Sequence, residues 1–248
     1  MDAKFDNNWL DTPLGQHLTF REQRYFDQAV SDVFGFNAVQ VGMTQLDYLR
    51  NSRIPLRVTC ALDHPAQVHA DPMFLPFATQ SLDLLLLPHV LEFSANPHQV
   101  LREANRVLRP EGRLLLSGFN PRSLWGMARW FRGAEQGYPW NGNFLNISRI
   151  KDWMVLLGME VAGGSMCCYL PPINREKWLR RLRFMEPAGD RWWAMGGGVY
   201  FLQAIKRVHG MHVITPEWKA PVAVRLLRPA ARKVVNLEQY RTRRDPDL

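Results

Sequence analysis

Two apolar runs, Leu82 to Leu87 (LDLLLL) and Arg113 to Phe119 (RLLLSGF), lack the period-2 alternation of a half-exposed strand and read as strands covered on both faces of a parallel sheet. The stretch between them has helical period. Asn96 stands as N-cap, Pro97 at the first helical position and Gln99 three residues after the cap. Val100, Leu101, Ala104, Val107 and Leu108 then form one buried stripe, and Pro110 and Gly112 end it. A strand, helix and strand of this kind form a right-handed βαβ unit. Ligands of such sheets sit beyond the carboxyl ends of the strands, which directs attention to the residues just after each one.

The same reading extends along the chain. Thr12 and Pro13 start a helix to about Phe34, with Tyr25, Phe26, Ala29, Val30, Val33 and Phe34 expected on its buried side. Phe36 to Val41 predicts the first strand, ending at Gly42, and Thr44 is expected to cap a short helix to about Asn51. Pro55 to Ala61 predicts a second strand and Val68 to Ala70 a short third. Helices are expected over Pro121 to Arg132, after a cap at Ser148, and over a basic segment near Arg175 to Met185. Met159 to Tyr169 and Val199 to Lys206 read as the last two strands. The expected organisation is therefore an N-terminal helical lid over 1–35, a main domain over 36–208 with an insertion at about 171–195, and a basic, irregular tail over 209–248.

Charge changes this picture in one respect. The net charge is +8, and most of it is local: eight Lys/Arg against four Asp/Glu from His209 onward, and six against three from Arg175 to Arg191. A near-neutral body with a basic insertion and tail suits an anionic partner, such as nucleic acid, an anionic lipid surface or an acidic substrate; a merely solubilising tail is the plainer alternative. No apolar run approaches the length of a membrane span, and the acidic first residues do not resemble a signal peptide, so a cytoplasmic protein is expected. Cys60, Cys167 and Cys168 have no CxxC spacing and read as buried thiols, while His64 and His69 lack a third ligand for a metal.

The motif residues LPF followed by SLDLLLL, then LREANRVLRPEGRLLLS, and a closing GGGVYFLQAIKR resemble the class I S-adenosylmethionine-dependent methyltransferases, more narrowly the type 11-like group. The resemblance is strong from Asp71 to Gly118, runs by element order from Phe36 to Lys206, and does not reach the tail. It implies an α/β, Rossmann-like, doubly wound, seven-stranded and mostly parallel sheet with an antiparallel last strand and helices on both faces. It also implies S-adenosylmethionine as cofactor and an unidentified methyl acceptor. By the same resemblance Gly42 takes the first glycine of the turn after strand one, and Asp71, with Pro72 and Met73 beside it, meets the adenine. Pro88 and His89 lie by the methionine part and the methyl group, and Gly118, Phe119 and Asn120 face the acceptor.

This chain departs from the family in the donor half. Gln40 stands two positions before Gly42, where the family has an acid, and Thr44 and Leu46 stand in place of two further glycines. The end of strand two holds Cys60 and Ala61 where a ribose-binding acid is expected, leaving Asp63 and Asp47 as substitutes. A second function is therefore weighed, a binding or regulatory protein that kept the fold without turnover. His89 reads either as a general base or as a structural residue capping a strand. Asn120-Pro121 resembles the NPPY motif of amino-methylating enzymes but follows the wrong strand, and reads equally as a simple turn. Trp125 and Trp140 are candidates for the acceptor side, either stacking on a substrate or covering the sheet.

Overall fold

The computed structural model describes residues 7–62, 64–132, 137–193 and 195–207. A short helix, α1 (Asn7–Leu10), precedes α2 (Pro13–Ser31), whose N-cap is Thr12, its Oγ1 accepting from Gly15 N at 3.1 Å. Next come β1 (Asn37–Val41), β2 (Leu56–Ala61), β3 (Val68–His69) and β4 (Leu82–Pro88). The chain continues through α3 (Pro97–Val107), β5 (Leu108–Phe119), α4 (Leu124–Arg132), α5 (Ile147–Leu156) and β6 (Met159–Cys167). It closes with α6 (Glu176–Arg181), α7 (Met185–Trp192) and β7 (Val199–Lys206). The tail expected over 209–248 lies outside the described residues.

The strands form one seven-stranded sheet in the order β3-β2-β1-β4-β5-β7-β6. β1 is parallel to β2 and β4, β4 is parallel to β5, and β7 runs antiparallel between β5 and β6. The order therefore reverses between β1 and β4. At such a switch point the loops after two neighbouring strands turn to opposite faces and leave a crevice at their carboxyl ends.

One core covers each face. α3 and α5 press Val100, Leu101, Ala104, Val107, Ile150 and Met154 onto Leu85, Leu87, Leu114 and Leu116. Burying each Val or Leu of this set stabilises the fold by about 1.5–3 kcal/mol. Asn96 caps α3 as expected, its Oδ1 accepting from Gln99 N at 3.2 Å. The opposite face carries Leu84, Leu86, Leu115, Phe119 and Phe201 under α2, α4 and the loop after β1.

Four local expectations are corrected. α2 buries Leu14, Leu18, Glu22, Phe26 and Val30, so its inner stripe lies to one side of the expected one, and Phe34 is exposed. α5 is capped by Asn146, not Ser148. The basic insertion forms two short helices, α6 and α7, in place of one. The helix expected from Thr44 to Asn51 does not form; turns fill that segment, for the reason given below.

Candidate active site

Chain direction changes sharply at the carboxyl edge of the sheet. Gly42 (φ +79°) and Met43 (φ +44°) follow β1, His89 (φ +52°) follows β4 and Cys168 (φ +60°) follows β6, all in the left-handed region. For a residue with a side chain this conformation costs about 1–2 kcal/mol, and it persists only where surrounding contacts impose it. At Gly42 a Cβ would lie 3.0 Å from Val90 Cγ2 and 3.6 Å from the Pro88 carbonyl oxygen, so glycine lets the tips of β1 and β4 close on each other.

The loop after β1 is organised by Gln40. Its side chain is fully buried, and Nε2 donates to the carbonyls of Gly42 (3.2 Å), Met43 (3.1 Å) and Leu46 (2.8 Å), while Oε1 accepts from Tyr48 N at 3.0 Å. A side-chain amide thus satisfies main-chain groups that a helix would have paired within itself, which is why the predicted helix gives way to turns. A carboxylate has no donor and could not make the three contacts to carbonyls. Gln40, expected as a contact of the donor, is instead a staple of the loop. Met43, Tyr48 and Leu49 turn inward onto the α2 face, and Leu46 packs against the same cluster.

Beside this loop lies a buried ionic network. His89 Nε2 is 2.5 Å from Glu22 Oε1 of α2, and His89 Nδ1 is 3.2 Å from Glu92 Oε1. Tyr48 Oη donates to Glu22 Oε2 at 2.7 Å, and Phe119 N donates to Glu92 Oε1. Glu22 and His89 have no solvent exposure and Glu92 has 3%. Burial alone pushes the His89 pKa down, but the charges of Glu22 and Glu92 and their hydrogen bonds outweigh it and carry the pKa to about 10. The ring is therefore held as an imidazolium between two carboxylates, which favours the structural of the two roles weighed for His89 over that of a general base.

Glu22, Tyr48 and Glu92 were not singled out in the sequence. Glu22 left a signal, as the one polar member of the i, i+4 series Leu14, Leu18, Glu22, Phe26 and Val30. Glu92 left a weaker one, three residues after His89.

On the other side of the crevice, Asp71 follows β3. Its Oδ1 accepts from Met73 N at 2.8 Å, and its Oδ2 has no partner among the described residues. Pro72 lies in that turn, and Met73 packs against the core on the α3 face. Pro88 is the last residue of β4, paired with Ser117 of β5. The buried Thr44 Oγ1, Glu92 Oε2, Ser117 Oγ and Tyr200 Oη have no hydrogen-bond partner among the described residues. These polar atoms lie in elements that meet at this edge of the sheet, where a polar ligand could pair with them. Asp47 caps its own turn, accepting from Leu49 N at 3.0 Å, and does not stand at the end of β2; Asp63 lies outside the described residues.

The residues expected on the acceptor side are structural. Asn120 Nδ2 donates to the carbonyls of Met195 (2.9 Å) and Gly197 (3.0 Å) and its Oδ1 accepts from Arg122 N at 3.0 Å, so it ties the turn before α4 to the loop leading into β7. Trp125 is buried with Nε1 donating to the Leu170 carbonyl at 3.0 Å, and its ring stacks on Phe119. Trp140 is buried beneath the Arg132 guanidinium. Burial of all three favours the plainer alternatives, Trp125 and Trp140 covering the sheet and Asn120 ordering a turn.

Among the described residues no group of three or more His, Cys, Asp or Glu could hold a metal ion, and no helix is long and apolar enough to cross a membrane.

The strand order, the reversal between β1 and β4 and the glycine turn beside Pro88 are those of a methyltransferase fold, and comparison with known proteins agrees. Residues 20–116 match the Methyltransferase domain family. An uncharacterized protein, YafS of Escherichia coli K12, is 33% identical over 172 residues, covering 66% of this chain and 69% of that one. A malonyl-[acyl-carrier protein] O-methyltransferase of Laribacter hongkongensis is 33% identical over 94 residues, 38% of this chain and 31% of the enzyme. Among solved structures, a SAM-dependent methyltransferase of Thermotoga maritima, a possible histamine N-methyltransferase, superposes with a TM-score of 0.57 at 17% identity, covering 77% of this chain and 95% of that one. Residues 20–116 thus belong to the Methyltransferase domain family, and the fold is one shared with S-adenosylmethionine-dependent methyltransferases.

Proposed function

We propose that the protein transfers a methyl group from S-adenosylmethionine to an acceptor that approaches the carboxyl ends of β4 and β5. The observation that carries this is the arrangement at the carboxyl ends of β1 and β4, where the strand order reverses. A left-handed glycine there has almost no room for a Cβ, a buried Thr44 hydroxyl lacks a partner, and Asp71 keeps one carboxylate oxygen uncommitted. These features fit the cofactor: Gly42 gives its backbone close approach, Asp71 accepts from the adenine amino group with Pro72 and Met73 beside the ring, and Pro88 borders the methionine part. When bound, S-adenosylmethionine supplies an electrophilic methyl group on a sulfonium sulfur. The chain's part is alignment, since an in-line displacement gains most of its rate from positioning. His89, already protonated, abstracts nothing. It fixes Glu22 and Glu92 and so holds α2, the turn after β4 and the end of β5 together.

A second reading, a binding protein that kept the fold without turnover, is favoured by the Gln40 staple and the helix missing after β1. Calorimetry on the full chain separates the two. Heat with both S-adenosylmethionine and S-adenosylhomocysteine, weakened at least roughly tenfold by Asp71→Ala as expected for a lost hydrogen bond to a charged group, supports the donor site. Absence of heat at millimolar ligand refutes it. Binding with no methylated product across acceptor panels favours the second reading.

A further inference from the structure

Between α2 and the insertion lies a cleft of about 620 Å³ lined by Phe20, Arg21, Arg24, Leu179, Arg180 and Arg183 among others. A smaller cavity of about 420 Å³ adjoins it, sharing Arg21, Arg24 and Glu186 and reaching Met166 and Phe201 of the sheet. In the larger cleft four guanidinium groups and one imidazole face two carboxylates, those of Glu176 and Glu186, while Asp190 lines the smaller cavity.

The carboxylates do not neutralise this set. Glu186 is buried and already held by two partners, His17 Nε2 at 3.2 Å and Arg21 Nη2 at 2.8 Å. Burial works against its ionised form, but the His17 hydrogen bond and the Arg21 charge overcome that and lower its pKa, so it stays a carboxylate committed to those two. Glu176 meets only Arg180, at 3.7 Å, with both side chains largely in solvent, a pair that contributes little. Arg24 and Arg183 have no carboxylate within ion-pair distance among the described residues. Like charges gathered in a concavity repel one another and raise the local potential, and an anion relieves both effects. Guanidinium forks match phosphate oxygens in geometry as well as charge. The walls also carry apolar surface: Phe20 is 66% exposed, and Leu179 lies among the arginines.

We propose that the cleft between α2 and α6 binds a ligand bearing one or more phosphate groups on a partly apolar body, with Arg24, Arg180 and Arg183 contacting the phosphate and Phe20 and Leu179 the apolar part. This site is separate from the donor crevice and its test does not depend on methyl transfer.

The test uses the full chain, titrated calorimetrically with inorganic pyrophosphate and co-sedimented with phosphatidylglycerol or phosphatidylcholine vesicles. Three proteins are compared: the wild type, Arg180→Gln with Arg183→Gln, and a control, Arg102→Gln with Lys151→Gln, which removes equal charge from α3 and α5 on the opposite face. The wild type and the control are expected to bind alike and the cleft variant about tenfold more weakly, with unchanged thermal unfolding. That pattern with pyrophosphate assigns a soluble phosphate ester; the pattern with phosphatidylglycerol vesicles alone assigns a lipid headgroup. Binding of neither ligand, or equal weakening in both variants, overturns the proposal. If the first cleft variant unfolds, Arg24→Gln with Arg183→Gln is read by the same criteria.

Discussion

Glu22 Oε1 and His89 Nε2 stand 2.5 Å apart in full burial, joining the middle of α2 to the turn after β4 across 67 residues of sequence. This contact makes the N-terminal helix part of the site, since the same Glu22 carboxylate accepts from Tyr48 in the loop after β1. Removing Glu22 takes the nearer of two carboxylates from the buried imidazolium and leaves the Tyr48 hydroxyl unpaired, and removing His89 leaves two buried carboxylates uncompensated, a loss of about 3–5 kcal/mol. Glu22→Ala is therefore expected to lower the urea midpoint sharply, and Glu22→Met with His89→Met to lose less than the sum of the two single changes. Additive losses would show that the pair is not coupled.

The raised pKa of His89 makes stability depend on pH with a definite sign. The folded form holds the proton to about 10, whereas an unfolded histidine releases it near the ordinary value of 6.5. The folded state thus binds more protons between these limits, so the contribution is complete below pH 6.5 and is lost as pH rises towards 10. Thermal unfolding from pH 6 to 10 is expected to show a declining melting temperature, flattened in His89→Gln. A wild-type profile as flat as the variant's counts against the clamped imidazolium.

Restoring the family's acidic residue at Gln40 is expected to harm this protein. Gln40→Glu places a carboxylate against three carbonyl oxygens that now accept from an amide. Each buried group left unpaired costs about 1–3 kcal/mol, so the substitution is expected to destabilise by several kcal/mol in chemical denaturation. Equal stability of Gln40→Glu and wild type would mean the loop does not depend on the staple.

Gly42→Ala tests the crevice. With φ at +79° and Val90 Cγ2 at 3.0 Å from a new Cβ, the alanine is expected to cost about 1–2 kcal/mol of stability and to weaken S-adenosylmethionine binding as the β1 tip shifts. Unaltered affinity in calorimetry would place the cofactor elsewhere.

Much of the architecture was legible in the chain itself. The amphipathic stripe Val100, Leu101, Ala104 and Val107, its Asn96 cap, and the apolar runs around Leu85 and Leu115 are local patterns, and hydrophobic period and capping chemistry fix such elements without reference to distant residues. The positions of Gly42, Asp71 and Pro88 at strand ends were legible for the same reason. Tertiary structure alone decided what the polar residues do. The loop after β1 forgoes a helix because the Gln40 amide pairs its carbonyls. His89 becomes an imidazolium because Glu22 arrives from α2. Asn120, Trp125 and Trp140 become structural because distant backbone and side chains cover them. A hydrogen bond or an ion pair needs a partner at a set distance, and that partner can lie anywhere in the sequence, whereas the period of a buried stripe is written in consecutive residues.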